Sequence, residues 1–173
     1  MPGTIGKIAI GGTDAALFRN EALRLAPRLY TAVLGDVVDT VGIYARTTAP
    51  PCTFEIGVYV WNGVVPTNRV NSALVICNNG AFAFIGAGPG LAWPLVAGIT
   101  YCVAISNQAG AGWRYNTVAA AGGQSNELAG GGLPALWVQN AIDNVEGTYF
   151  ATVIIPAAAG GLGYIPDGRY LTE

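Results

Sequence analysis

The stretch TFEIGVYVW at residues 53–61 decides the fold class, because apolar and polar side chains alternate along it. One face carries Phe54, Ile56, Val58 and Val60, and the other carries Thr53, Glu55, Tyr59 and Trp61. A period of two residues is typical of a half-buried antiparallel strand. Asn62 and Gly63 follow directly and favour a tight turn. The stretch therefore predicts one strand of an antiparallel sheet that turns back at its end.

Other strand-like runs surround this one. They lie at residues 5–10, 37–45, 70–77, 81–85, 99–106 and 148–155. Turn residues separate them at intervals of about 8–12 residues, a pattern typical of sandwiches and barrels. A helical pattern occurs at 14–25, which suits either a short helix or an irregular strand. The chain is predicted to be all-β, an antiparallel β-sandwich or jelly roll with a short helical or irregular N-terminal segment.

The chain of 173 residues is long enough for one domain with a substantial core. We expect a single β-sandwich domain over 1–155, in which residues 107–132 form a long loop rich in glycine and alanine, and an extended C-terminal arm over 156–173. The arm is too apolar to lie free in water, so it is predicted to lie across a neighbouring subunit. Its apolar residues are Leu162, Tyr164, Ile165, Tyr170 and Leu171.

Charge is scarce in this sequence and excludes several functions. Charged residues make up 10% of the chain, against roughly 25% in an average soluble domain. The 44 residues from Val70 to Trp113 carry no charge, so we expect much of their surface to be covered in an assembly. The net charge of −2 and the absence of a basic patch exclude a nucleic-acid binder. Glycines and prolines within the apolar run 81–99 exclude a membrane-spanning helix.

No catalytic or cofactor motif is present. Histidine is absent, and the GAGPG motif at 86–90 lacks the strand and helix of a phosphate-binding loop. Asp36 and Asp39 fit turn residues better than a glycosidase pair. The chain is therefore predicted to have no enzymatic activity, no cofactor and no metal site.

The cysteines and one acidic loop are the candidate metal ligands of this sequence. Cys52, Cys77 and Cys102 have no CxxC pairing, so they are predicted to be buried free thiols. Asp143, Asn144 and Glu146 are a solvated loop in one interpretation and calcium ligands in another.

Aromatic residues are the candidate contact residues. They are Tyr59, Trp61, Trp93, Trp113 and Tyr115. Flat rings on a sandwich surface stack on sugars, and large aromatics in the same places also bury against a neighbouring subunit or within the chain itself. All three interpretations are left open by the sequence.

Two segments resemble strands of β-sandwich modules found in phage virion proteins, surface proteins and carbohydrate-binding modules. The first is LVAGITYCVAISNQ at 95–108, with Leu95, Gly98, Tyr101 and Ile105 at the matching positions. The second pairs VGIYART at 41–47 with TFEIGVYVWNGVVP at 53–66. The likeness extends over residues 35 to 155. It implies a sandwich that binds or assembles, and it carries over no catalytic residues.

Together these observations predict a non-enzymatic structural protein of a bacteriophage virion, such as a capsid decoration, head-fibre or tail component. It is expected to form a homo-oligomer, with a trimer favoured, and to bind other virion proteins. The first twenty residues lack a signal-peptide pattern, so we expect synthesis in the host cytoplasm and incorporation into the virion. The alternative is a carbohydrate-binding β-sandwich module with a glycan ligand.

Overall fold

Two antiparallel β-sheets pack face to face in the computed structural model, which describes residues 3–10, 13–14, 21–48, 50–107, 111–117, 123–129, 132–138, 141–143 and 145–156. These residues form strands and no helix, which confirms the predicted all-β sandwich. The strands are β1 (Gly3–Gly6), β2 (Thr13–Asp14), β3 (Glu21–Thr31), β4 (Val37–Thr47), β5 (Cys52–Trp61), β6 (Pro66–Cys77), β7 (Ala83–Ala87), β8 (Trp93–Pro94), β9 (Thr100–Asn107), β10 (Ala111–Thr117), β11 (Gly123–Ala129), β12 (Ala141–Asp143), β13 (Val145–Gly147) and β14 (Tyr149–Ile154).

The two sheets divide the strands unequally. The first sheet has the order β1-β14-β4-β10-β13, with β2 paired to β10 and with β7 and β8 paired to β4. The second sheet has the order β12-β11-β3-β9-β5-β6. Within the described residues, therefore, no helix is present that could cross a membrane.

The predicted alternation of residues 53–61 is confirmed on β5. This strand pairs with β9 on one side and with β6 on the other. Phe54, Ile56 and Val58 are fully buried between the sheets, and Val60 packs against the same core. The first sheet supplies the facing side chains, which include Val41, Ile43, Ala151 and Val153. A strand of alternating pattern thus buries one face against the opposite sheet.

Residues 21–25 form the start of strand β3, so of the two alternatives predicted for 14–25, a short helix or an irregular strand, these residues form the strand. The register pairs Leu25 with Ala104 and Tyr30 with Tyr101 on β9, with bulges between. Helical propensity is a weak preference that pairing to an apolar neighbouring strand overrides. Residues 15–20 lie outside the described part of the chain.

The long loop predicted over residues 107–132 is also wrong, because strands β10 and β11 lie within it. Strand β10 pairs with β4, β13 and β2, and β11 pairs with β3 and β12. Glycine and alanine are poor strand formers on their own, but both segments join strands of the sandwich through backbone hydrogen bonds. Sequence composition alone does not report such partners.

The loop that joins β3 to β4 is built around the buried carboxylate of Asp36. Its Oδ2 accepts hydrogen bonds from the hydroxyl of Tyr30 at 2.7 Å and from the backbone N–H of Val33 at 2.8 Å. The hydrogen bond to Asp36, burial and the nearby negative charge all raise the pKa of Tyr30. This turn fixes the position of the loop at one end of the sandwich.

A pair of valine substitutions tests the burial of Val58 in the core. Val58→Asp places a carboxylate among the apolar side chains of the core, and we expect a loss of about 3–5 kcal/mol in the free energy of unfolding. Val64 lies on an exposed turn, so the matched control Val64→Asp should change the free energy of unfolding by less than about 0.5 kcal/mol. Urea unfolding followed by circular dichroism measures both. Equal losses would contradict the burial of Val58.

Candidate functional site

The outer face of the second sheet is crossed by a short segment, GLPALWV at residues 132–138, which we call the strap. The strap runs beside β6 and pairs with it as an added strand would. The backbone N–H of Arg69 donates to the carbonyl of Ala135 at 2.9 Å, and that of Trp137 donates to the carbonyl of Thr67 at 3.0 Å. A further bridge joins Asn68 to Leu136. The strap therefore extends the sheet past the first part of β6.

One carboxylate anchors the strap to the sheet. Glu55 Oε1 accepts hydrogen bonds from Arg69 Nη1 at 2.9 Å and from Ser72 Oγ at 2.5 Å, and Oε2 accepts from the backbone N–H of Leu133 at 2.6 Å. Arg69 Nη1 also donates to the carbonyl of Leu133. Both charged side chains are largely buried, so their ion pair is poorly screened by water. The polar groups of this site satisfy one another, which favours a structural role.

Tyr59 lies beneath the strap and is fully buried. Its hydroxyl donates to the carbonyl of Pro134 at 2.6 Å, and its ring meets that of Trp137 edge to face at 5.4 Å between centroids. Cys102 and Leu133 complete a second apolar cluster here, outside the core between the sheets. Of the three interpretations left open for Tyr59, the structure therefore shows packing within the chain, because the strap covers its face of β5.

The other candidate aromatic residues separate into different environments. Trp93, on β8, is buried in the core between the sheets, so it cannot contact a glycan or a subunit. Trp61 is half-buried against the strap cluster. Trp113 and Tyr115 lie on β10, where the register places them opposite Ala45 and Gly147. The structure does not describe the side chains of these last two residues.

The remaining candidates are only partly within the described residues. Asp143 ends β12 and Glu146 lies in β13, without described side chains, whereas Asn144 lies outside. Where the structure describes side chains, no group of three or more cysteine, aspartate or glutamate residues could hold a metal ion. The five arm residues also lie outside the described part of the chain. They are Leu162, Tyr164, Ile165, Tyr170 and Leu171.

Two buried groups beneath the strap have strongly shifted pKa values. Burial raises the pKa of Tyr59, and the nearby charge of Glu55 adds to this, while Arg69 opposes it. Burial also raises the pKa of the Cys102 thiol. Both groups therefore stay protonated at neutral pH, so Cys102 is not a reactive thiolate. Cys52 and Cys77 are buried and free as well, as the sequence predicts.

An aromatic surface that the sequence analysis did not identify lies on the outer face of the first sheet. We call it the aromatic ladder, and it consists of Tyr44, Phe82, Phe84 and Phe150. Tyr44 stacks on Phe82 at 5.6 Å between centroids and meets Phe84 at 4.9 Å. The guanidinium carbon of Arg46 lies 4.9 Å from the centroid of Phe82.

Strand alternation places the ladder on this face. Ile43 and Ala45 point into the core, so Tyr44 and Arg46 point outward. Phe150 lies over Gly42 of the neighbouring strand, where a Cβ would be 2.8 Å from the ring. The same alternation in VGIYART at 41–47, combined with FAF at 82–84, is the signal that could have revealed the ladder.

A second exposed surface lies at one end of the sandwich, and we call it the end patch. It consists of Val33, Leu34, Val96 and Ile155, all exposed, with Leu34 the most exposed at 87%. Hydrogen bonds bring the two loops together: Ala32 N–H donates to the carbonyl of Ile99 at 2.9 Å, and Leu95 N–H donates to that of Asp36 at 3.0 Å. Ile155 lies beside Gly35.

Comparisons with known proteins support the fold and no more. No protein-family model matches the chain, and no curated protein matches it. A solved structure of the clostridial cysteine protease Cwp84 after propeptide cleavage is similar at 10% identity and a TM-score of 0.58, over 88% of this chain and 40% of that one. A structure of the cysteine protease and lectin-like domains of Cwp84, a surface-layer-associated protein of Clostridium difficile, is similar at 12% identity and a TM-score of 0.50. This match covers 78% of the present chain and 32% of the Cwp84 chain.

The chain thus spans less than half the length of either of these chains. At such low identity the likeness shows a shared β-sandwich arrangement alone. Nothing about catalysis or ligands follows from it.

Replacing the anchor carboxylate tests how the strap is held. Glu55→Gln keeps the shape of the side chain but removes its charge and one hydrogen-bond acceptor. We therefore expect the free energy of unfolding to fall by about 1–3 kcal/mol and the strap amides to exchange faster. Asp39→Asn is the matched control, since Asp39 Oδ1 accepts from Gly90 N–H at 2.9 Å far from the strap. Hydrogen–deuterium exchange should show strap amides unchanged in this control. Unchanged exchange in Glu55→Gln would refute the anchor.

The raised pKa of Tyr59 predicts a loss of stability at alkaline pH. A folded pKa above the ordinary value of 10.0 means that the folded state holds the phenolic proton more tightly than the unfolded state. The contribution of Tyr59 to the free energy of unfolding is fully present below pH 10.0 and is lost as the pH rises toward the folded pKa. Tyr59→Phe should therefore flatten the alkaline part of the stability curve. Urea unfolding between neutral pH and pH 11 measures it, and an unchanged slope would contradict the prediction.

Proposed function

We propose that this chain is a non-enzymatic structural protein of a bacteriophage virion, which acts by self-assembly and by binding other virion proteins. The end patch is the observation that carries the proposal. Its four aliphatic side chains are exposed together, and Asp36, the charged residue of the loops beneath them, is buried and occupied by hydrogen bonds. Exposed apolar clusters of this kind mark surfaces that another protein covers.

The distribution of charge supports the same function. Burying a charged side chain at an interface is costly unless it is paired, so interface cores are depleted in charge. The uncharged run from Val70 to Trp113 includes Val96 of the end patch as well as the exposed Leu74 and Ile76. Apolar surface on this run can be covered by another protein without desolvating an ion. A trimer, with the arm at 156–173 lying across a neighbour, remains part of this proposal.

A carbohydrate-binding module is the second candidate, and the aromatic ladder favours it. Sugar rings stack on exposed aromatic faces, and Phe84 is half exposed beside Tyr44, with the guanidinium of Arg46 nearby as a hydrogen-bond donor. The structure of Cwp84 that includes lectin-like domains shares the fold, which is compatible with such a role. In this second candidate function the aromatic ladder would stack on the sugar. Tyr59 and Trp93 would not, because they are buried.

Solution mass distinguishes the two candidates. We expect the wild-type protein to exceed 17.7 kDa by light scattering at tens of micromolar, as an oligomer, and to bind no sugar on a glycan array. Leu34→Asp should lower that mass because it places a charge in the end patch. Ile8→Asp is the control, an equally apolar exposed residue at the opposite end of the sandwich, and should leave the mass unchanged. The second candidate would be favoured if the wild-type protein were a soluble monomer that binds a glycan and if the Phe84→Ala variant no longer bound that glycan.

A further inference from the structure

Strand β6 is the last strand of the second sheet, and the strap covers only part of its outer edge. The strap pairs with Thr67, Asn68 and Arg69. Beyond Arg69, residues 70–77 pair with β5 on one side, and no described residue pairs with them on the other. We call residues 70–77 the free edge.

The free edge lacks two of the features that usually prevent edge strands from pairing, charged residues and proline. Natural edge strands are protected by lysine, proline, inward-pointing charges or a covering segment. The sequence VNSALVIC contains no charged residue and no proline. The nearest charge, Arg69, is held by Glu55. On the outer face, Leu74 is 67% exposed and Ile76 is 60% exposed.

The strap shows how this edge accepts a partner. Its backbone exchanges hydrogen bonds with Thr67 and Arg69 as an antiparallel strand does, through Trp137 N–H and the Ala135 carbonyl. The same kind of backbone groups continue along the free edge. An extended strand placed there would continue the six-stranded sheet, which is the β-augmentation mode of recognition.

We infer that the occupant of the free edge is the free edge of a second copy, paired antiparallel about a two-fold axis. This inference rests on the proposed self-assembly and adds a second contact surface to the end patch. A two-fold contact joins a surface to itself, so it requires a surface that does not repel its own copy. An uncharged strand meets that condition, and two copies bring the exposed Leu74 and Ile76 of both chains onto one face of a continuous sheet.

The strap adds area to the same contact. Leu136 is exposed and bridges to Asn68, so it lies on the edge of β6 that faces the second copy. Stable interfaces bury about 1,200–2,000 Å² in total, more than a short strand pair supplies alone. The exposed side chains of the strap extend the apolar surface along this edge. A two-fold contact predicts an even number of subunits, so it would join the trimers of the proposed function in pairs.

Charge placed on the free edge tests the inference. The double variant Leu74→Lys with Ile76→Lys alters two exposed side chains, so folding should persist, and it puts like charges together across the two-fold axis. The control is Ile8→Lys with Ile10→Lys, which also alters two exposed aliphatic residues two positions apart, but outside β6. Thermal unfolding verifies that both variants fold. Light scattering should give an even multiple of 17.7 kDa for the wild type and the control, and half of that mass for the edge variant.

Hydrogen–deuterium exchange gives a second readout that does not depend on any substitution. Amides of residues 70–77 should be protected at high protein concentration and should exchange faster on dilution, while core amides of β5 stay unchanged. A wild-type monomer would overturn both the inference and the proposed self-assembly. A wild-type trimer would overturn the inference alone and leave the proposed self-assembly intact. The same holds for an oligomer that keeps its mass in the edge variant and whose β6 amides exchange at the same rate after dilution.

Discussion

The carboxylate of Glu55 is the contact on which the arrangement of the second sheet depends. It accepts hydrogen bonds from a side chain of the neighbouring strand and from the backbone of the strap, so it ties together segments 78 residues apart in the sequence. An exposed ion pair contributes little, but this one lies beneath the strap and also satisfies a backbone N–H that would otherwise lack a partner. The strap in turn buries Tyr59 and creates a second apolar cluster on the outer face. Strand β5 is consequently buried on both faces.

How much of this could be read from the sequence differs between the two faces of β5. Alternation reports which residues share a face, and it correctly placed Phe54, Ile56 and Val58 in the core. It does not report whether the opposite face meets water. Tyr59 is covered by a segment 75 residues later in the chain, and no local pattern encodes such a distant contact. The sequence leaves the environment of Trp93 open for a similar reason, because a two-residue strand paired to Val38 is too short to show a period.

The glycine-rich segments show a second limit of sequence reasoning. Residues 123–129 have neither the β-branched content nor the alternation of a predicted strand, yet they join a sheet. Residues 111–117 do alternate, with Trp113 and Tyr115 separated by Arg114, but they lie in a long segment rich in glycine and alanine. Their strand structure comes from partners that already present free backbone groups, such as β4 and β3. The aromatic ladder could have been anticipated, since VGIYART at 41–47 alternates, but its neighbours from β7 and β14 become adjacent only through the sheet register.

The same anchor explains why the edge of β6 is divided into two parts. Arg69 is drawn toward Glu55 and the Leu133 carbonyl, which fixes the strap beside Thr67 and Arg69. The register of β5 and β6 shifts between Val58 and Tyr59, so the residues next to Arg69 depart from regular pairing where the strap contact ends. Bulges of this kind commonly end pairing along an edge. Beyond this point the edge is regular again and carries no charge. The strap therefore occupies one part of the edge, and the other part is regular and uncharged. This second part is suited to pairing with a second chain, because the strap fixes where such pairing can begin.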